Sequence, residues 1–333
     1  MLKGVHLTLL AGPVVPVPVP RLVVDALVSA QATVAAGQRS GFQLAFTLSN
    51  RSPLQTVFLV AAAQTPLMRV VLVLTQNGMP HVLMDGVTTR ADVTPGAQRG
   101  TSTLTLTGED LSRMMDLQDF GGLPFPAMPP EARVALILAK YAAFGIVPIG
   151  IPPLITDVPM PTDRIERQKG TDLSYLKRLA DDHGYVFYVE PGPLPGQSLA
   201  YWGPDIRIPV PQSALSVNMD AQSNVESLSF SLDGLAKKVV VVTIFDPVKN
   251  RVPIVVPIPN INIFKPPLGL RPTPPSKVEF PDYMTKEQVP NVVNRILGIL
   301  ARSSDAISVS GSLDVVRYGG ILRNRMKIGR AHV

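Results

Sequence analysis

The chain has 333 residues, 46% of them hydrophobic and 17% charged, which is enough for two or three domains with cores of their own. It has no cysteine, so disulfides and thiolate metal sites are excluded. The net charge of +6 is dispersed: bases alternate with acids in Asp163-Arg164-Ile165-Glu166-Arg167, and no specific nucleic-acid ligand is expected.

Residues 1–118 read as an N-terminal arm and a first β-domain. Met1 to Gly12 is a short apolar run interrupted by His6, followed by alternating valine and proline to Pro20; it has no persuasive cleavage site and reads as a structural arm. Leu22, Val24, Ala26, Val28 and Ala30 alternate, predicting a strand with one buried face. Phe42, Leu44, Phe46 and Leu48 predict another. Asn50 to Pro53 reads as a turn, and Met68 to Leu74 as an apolar strand ending at Asn77-Gly78, a hairpin signal. Strands are expected over His81–Val93 and Thr101–Thr107, with Pro95-Gly96 and Arg99-Gly100 marking the turn between them. Several short strands without a long helix argue for a β-barrel or a strongly curved sheet. A short helix containing Met114 and Met115 begins near Gly108 to Leu111.

Residues 119–205 read as a small α+β domain. A proline-rich linker at Gly121–Pro130 precedes a helix over Glu131–Phe144, with Val134, Ile137, Leu138 and Tyr141 as its apolar stripe and Pro130 suited to its first turn. Ile146 to Pro161 is punctuated by proline and reads as a connection. Thr171 or Asp172 can cap the next helix, Leu173, Leu176 and Leu179 form its apolar stripe, and Gly184 suits the left-handed residue that stops it. Tyr185 to Val189, with Phe187 and Tyr188, is a strand lying over those leucines, and Ser198 to Trp202 is its return.

Residues 206–326 read as a second β-domain. Ser227 to Leu232 alternates and Ala236 to Phe245 is β-branched. Asp246 to Pro281 holds the densest prolines and reads as an extended arm, because proline cannot donate to a central ladder. Its Ile254, Val255, Val256, Ile258, Ile261 and Phe264 are too apolar to stay in water; Ile254, Val256, Ile258 and Phe264 are the candidate interface residues. A helix over Thr285–Ser304 and a strand over Ala306–Val316 follow.

Chemistry has few footholds. His6, His81, His183 and His332 have no metal-ligand spacing, and His183 reads as a C-terminal helix cap. Asp181-Asp182 reads as solvated and Glu109-Asp110 as a helix start. Neither a Gly-x-Ser-x-Gly elbow nor a Walker loop is present. Trp202 reads as a core or interface anchor. No catalytic residue, cofactor or metal is expected. No apolar stretch of about 18 residues escapes proline or charge, so no membrane span is expected.

The order of residues from Thr171 to Glu190 is more specific than the helix and strand it predicts. Thr-Asp-Leu, an aromatic, Leu-x-x-Leu-Ala and His-Gly-Tyr-x-Phe-Tyr-Val resemble the middle of the phage late control D proteins and related hubs of contractile injection systems and type VI secretion. Leu83 to Val87, Thr105 to Asp110 and Leu313 to Gly320 resemble the flanking barrels of those hubs. The resemblance implies two tail-tube-like β-barrel domains flanking the α+β domain. It also implies a structural homotrimer that joins tail tube to spike in a baseplate, contacts other baseplate proteins, and is assembled in the cytoplasm into a phage tail or injection particle. The other reading is a cell-wall-binding or tail-associated hydrolase module. Residues 327–333 are expected to be a non-native tail, because Ile328 to Val333 resembles the translation of a sequencing-adapter junction.

Overall fold

A computed structural model describes residues 5–35, 39–49, 67–96, 100–153, 158, 160–162, 165–205, 208–219, 223–232, 238–246, 250–258, 277–279, 307–323 and 326–328. The first region contains β1 (Val5–Gly12), β2 (Val17–Pro18), α1 (Arg21–Asp25), β3 (Leu27–Thr33), β4 (Gly41–Ser49), β5 (Arg69–Gln76), β6 (Met79–Pro95) and β7 (Thr101–Asp110). The strands form one antiparallel sheet in the order β2-β1-β5-β6-β7-β4-β3. Its end strands β2 and β3 do not pair with each other, so the barrel expected here is an open sheet among the described residues.

The alternation in β4 does what its period requires. Phe42, Leu44, Phe46 and Leu48 are all buried, joined by Leu9, Val70, Leu72, Met84, Leu104 and Leu106. Burial of each such side chain is worth about 1.5–3 kcal/mol. β5 is covered on both faces, which is why it reads as an apolar run rather than an alternation. Asn77 and Gly78, both at positive φ, close the β5–β6 hairpin with Gln76 opposite Met79.

The Leu22–Ala30 alternation is misread. Residues 21–25 form a helical turn that buries Val23 and leaves Leu22 exposed, and Val28 is exposed on the edge strand β3. A register shift between Leu27 and Ser29 breaks the period, so β3 sets Leu27 and Ala32, rather than Val28 and Ala30, against the core. A 3-10 turn, Leu111–Asp116, follows β7 and is capped by Asp110, whose Oδ1 accepts from the Ser112 N–H.

The second region holds β8 (Pro124–Phe125), α2 (Pro130–Ala139), β9 (Ile146–Gly150), β10 (Glu166–Arg167), α3 (Asp172–His183), β11 (Tyr185–Pro191) and β12 (Ser198–Pro204). Pro130 takes the first turn of α2, and Val134, Ile137, Leu138 and Tyr141 are buried as the stripe requires. The helix gives way to a 3-10 turn at Ala142–Phe144, stopped by Gly145 at positive φ. β11, β12 and β9 form a sheet in that order, β11 antiparallel and β9 parallel to β12. β9 corrects the reading of Ile146 onward as an irregular connection. Ser198 N–H donates to Gly145 O and Ile151 N–H donates to Trp202 O, so the odd-numbered residues of β9 bond β12 and the even-numbered ones face away. Pro148 is even-numbered and costs the ladder nothing.

In the third region β13 (Ile208–Gln212), β14 (Val225–Leu232), β15 (Lys238–Asp246), β16 (Asn250–Ile258), β17 (Lys277–Glu279), β18 (Ile307–Leu313), α4 (Val315–Tyr318) and β19 (Met326–Ile328) are formed. β15 lies between antiparallel β16 and parallel β17. This corrects the reading of Asp246–Pro281 as an arm without a ladder. β16 is an edge strand, and an edge uses only alternate N–H groups, so Pro253 and Pro257 can be accommodated. The strand predicted to reach Val316 stops at Leu313, where Asp314 accepts from the Val316 and Arg317 N–H groups and starts α4. Lys327 and Ile328 pair with Pro211 and Gln212. The turn at Asn50–Pro53 and the helix at Thr285–Ser304 lie outside the described residues.

Candidate functional site

The segment from Thr171 to Glu190 folds as its residues predict. Thr171 Oγ1 accepts from the Ser174 N–H at 3.2 Å, and Gly184, at φ 70°, ends α3 in the left-handed conformation. Leu173, Leu176 and Leu179 are buried, Leu176 completely, in one core with Phe187, Val189, Ala200 and Trp202. Tyr185 is half-buried, its ring set edge-on to Trp202 at 4.8 Å between centroids, and Tyr188 lies across from Tyr201 at 5.1 Å.

Asp172 is not the cap. Its carboxylate is fully buried and accepts from Tyr141 Oη at 2.7 Å and Gln168 Nε2 at 2.6 Å, with Lys140 Nζ as its ion-pair partner. It ties the C-terminal end of α2 to the start of α3. Burial, reinforced by the bond to Asp172, pushes the Tyr141 phenol far above its ordinary range. His183 sits in the last turn of α3, as its reading as a C-terminal cap expects. Its ring is buried against Trp202, and Nδ1 lies 2.7 Å from the Leu179 carbonyl oxygen.

Two polar nodes missed by sequence reading join the first region to the second. Arg69, inside the apolar run of β5, makes a two-pronged pair with Asp85 of β6, Nε–Oδ1 at 2.8 Å and Nη2–Oδ2 at 2.6 Å. The two side chains are 2% and 0% exposed. Arg69 also donates to Val14 O and Gly196 O, and Ser198 Oγ donates to Asp85 Oδ2 at 3.0 Å. One guanidinium thus holds the β1–β2 connection, the first sheet, of which Val5–Gly12 is a paired strand rather than a free arm, and the β11–β12 connection.

The second node is Arg39. It pairs with Glu109 and Asp116, while Thr171 Oγ1 donates to Asp116 Oδ1 at 2.8 Å. The hydroxyl that caps α3 therefore also reaches the first region. Burial pushes the Asp116 carboxyl up, but the bonds from Thr171 and Arg39 and the charges of Arg39 and Arg113 outweigh it and hold it below the carboxylate range. At Asp110 burial prevails over the bonds from Ser112 and Ser40, and the carboxyl is raised. Beside these nodes lies a cleft of about 330 Å³ between the first region, α3, β11 and Ile321–Arg323. Such a cleft falls at the lower end of ligand-pocket sizes.

Ile254, Val256 and Ile258 lie on β16, and Phe264 lies outside the described residues. In the β14–β18 ribbon, Ser227, Ser229, Ser310 and Ser312 alternate with Leu228, Phe230 and Val309. Phe230 and Val309 face each other across the ribbon and are 58% and 49% exposed. Among the described residues no group of three or more His, Asp or Glu is placed to hold a metal, and no helix is long and apolar enough to cross a membrane.

No protein-family model matches the sequence, and no curated protein matches it. Solved structures do. A tail protein from Neisseria meningitidis superposes with a TM-score of 0.52 and 14% identity, over 88% of this chain and 75% of that one. A tail protein of prophage MuSo2 from Shewanella oneidensis superposes with a TM-score of 0.54 and 12% identity, over 97% of this chain and 87% of that one. The chain has a phage-tail-protein fold. A Francisella PdpA–VgrG complex also matches, at a TM-score of 0.48, 7% identity, 84% of this chain and 40% of that one, and at that level decides nothing. The tail-protein fold spans all three regions and is mainly β, with antiparallel sheets, as the resemblance of the Thr171–Glu190 segment implied.

Proposed function

We propose that this chain is a structural baseplate hub of a contractile phage tail or a phage-tail-like injection system, joining tail tube to spike as a homotrimer. The observation that carries the reading is the superposition of nearly the whole chain on a phage tail protein, together with the late-control-D-like segment at its centre. In this reading the seven-stranded sheet and the strands of the third region act as two barrel-like domains, and three chains set six of them in a ring against a six-fold tube. The partners are other copies of the chain, the tube, the spike and neighbouring baseplate proteins. The chain is made in the cytoplasm and ends in the particle. The role is mechanical rather than enzymatic, and the bonds of buried Arg69 and Asp85 to Gly196 and Ser198 suit it by tying the first and second regions together. The exposed Phe230–Val309 face suits a chain that functions in an assembly.

Negative-stain microscopy of the full-length protein tests the reading, with sedimentation for the number of chains. A three-fold ring is the expected result. A stable monomer at high concentration that binds neither tube nor spike protein would overturn it.

A further inference from the structure

We propose that His183 is a proton-operated latch: the neutral ring holds the last turn of α3 against α2 and the β11–β12–β9 sheet, and a second proton loosens that turn. The geometry sets the first state. Nδ1 lies 2.7 Å from the Leu179 carbonyl oxygen, which only accepts, so Nδ1 carries the hydrogen and Nε2 the lone pair. The ring is 6% exposed, set edge-on to Trp202 at 5.7 Å and tilted against Tyr185 at 6.4 Å. Nε2 is buried with no hydrogen-bond partner among the described residues.

A proton taken from solvent has to go to Nε2, where no described residue is placed to accept a hydrogen bond from it. The charges acting on the ring come from two helices. Asp182, on α3 itself, and Glu131, on α2, favour the cation; Arg133, also on α2, opposes it. β11 brings the Tyr185 phenol, and β12 brings only the Trp202 indole. Burial is the largest influence, and it holds the imidazole below its ordinary range. The facing helix does carry one matching acceptor: Glu131 Oε2 is buried and has no partner among the described residues. The charged ring gains a partner only by moving toward Glu131 or toward water, and the bond of Nδ1 to the Leu179 carbonyl couples either move to the last turn of α3. Asp181 and Tyr185, on either side of His183, both line the cleft shared with the first region and Ile321–Arg323, so the turn's movement reshapes a wall of that cleft.

Trp202 is the only tryptophan, so its emission reports on the ring beside it. The full-length chain is titrated from pH 8 to 4.5 with tryptophan-selective excitation and parallel far-ultraviolet circular dichroism. The expected result is one loss of emission with its midpoint below about 6.5 and no change in dichroism. The loss should be absent in His183→Gln and shifted to lower pH in Glu131→Gln, which removes an anion. Persistence of the transition in His183→Gln, or its coincidence with loss of the dichroism signal, overturns the latch. If His183→Gln does not fold, carbon-13 resonances of the ring are followed in a chain carrying His6→Gln, His81→Gln and His332→Gln, where His183 is the only imidazole. A ring titrating at or above about 6.5 then rejects the proposal, and one titrating below it while the fold persists supports it.

Discussion

The guanidinium of Arg69 meets the carboxylate of Asp85 through two parallel hydrogen bonds, sealed from solvent on adjacent strands of the first sheet. Removing one partner leaves the other charged and buried. Arg69→Met should therefore cost about 3–5 kcal/mol of unfolding free energy in denaturant titration. The double variant R69M/D85L should recover most of that loss. A single-variant cost below about 1 kcal/mol would show that the node carries no strain-free charge pairing of consequence.

Asp172 predicts a smaller effect at a second place. Tyr141→Phe removes one hydrogen bond to a buried carboxylate and should cost about 1.5–3 kcal/mol. In Asp172→Asn the same change should cost less, because the charge that the phenol serves is gone. A double-mutant cycle by urea unfolding reads the coupling, and strict additivity would reject it.

Asp116 gives a pH prediction with a definite sign. Its carboxyl is held low in the fold, so as the pH falls below the ordinary carboxylate range the unfolded chain takes up the proton first. The stability contributed by Asp116 is present above that range and lost as pH falls through the folded value. Unfolding midpoints at pH 5 and pH 3 should therefore converge more in Asp116→Asn than in the unaltered chain. An equal acid sensitivity in both would rule out this contribution.

Leu176→Ala, at a fully buried site under β11, should cost about 2–5 kcal/mol. Gly184→Ala must force a side chain into a left-handed position and should cost about 1–2 kcal/mol. Thermal or chemical unfolding checks both, and their order should be Leu176 above Gly184.

Phe230→Ser tests the exposed ribbon face. Because the side chain is largely in solvent already, unfolding of the isolated chain should change by no more than about 0.5 kcal/mol. Self-association, followed by sedimentation, should weaken. A large loss of stability with unchanged association would reverse the assignment of that face.

What the sequence revealed was local. The Thr171 cap, the Leu173–Leu176–Leu179 stripe and Gly184 fix one helix and its end through neighbouring residues, and Asn77-Gly78 fixes one hairpin in the same way. Features that depend on distant partners were hidden. Arg69 passes as an interruption in an apolar run until Asp85, Val14 and Gly196 are brought to it. Asp172 looks like a cap until Tyr141 and Lys140 arrive from another helix. Proline misled twice, at β9 and β16, because its meaning depends on whether a strand lies at an edge, and the edge is a property of the sheet. The Leu22–Ala30 alternation failed because a helical turn and a shift of register in β3 interrupt its period.

Pro148 faces outward from the middle of β9, where a newcomer seeking to extend the sheet would look for an amide. It finds Val147 and Ile149 exposed and inviting on one face, yet along the rim only Ile146 and Gly150 have a hydrogen to give. A strand-rich chain runs its greatest risk of runaway stacking at such a rim. Here one absent hydrogen atom tells the sheet where to stop.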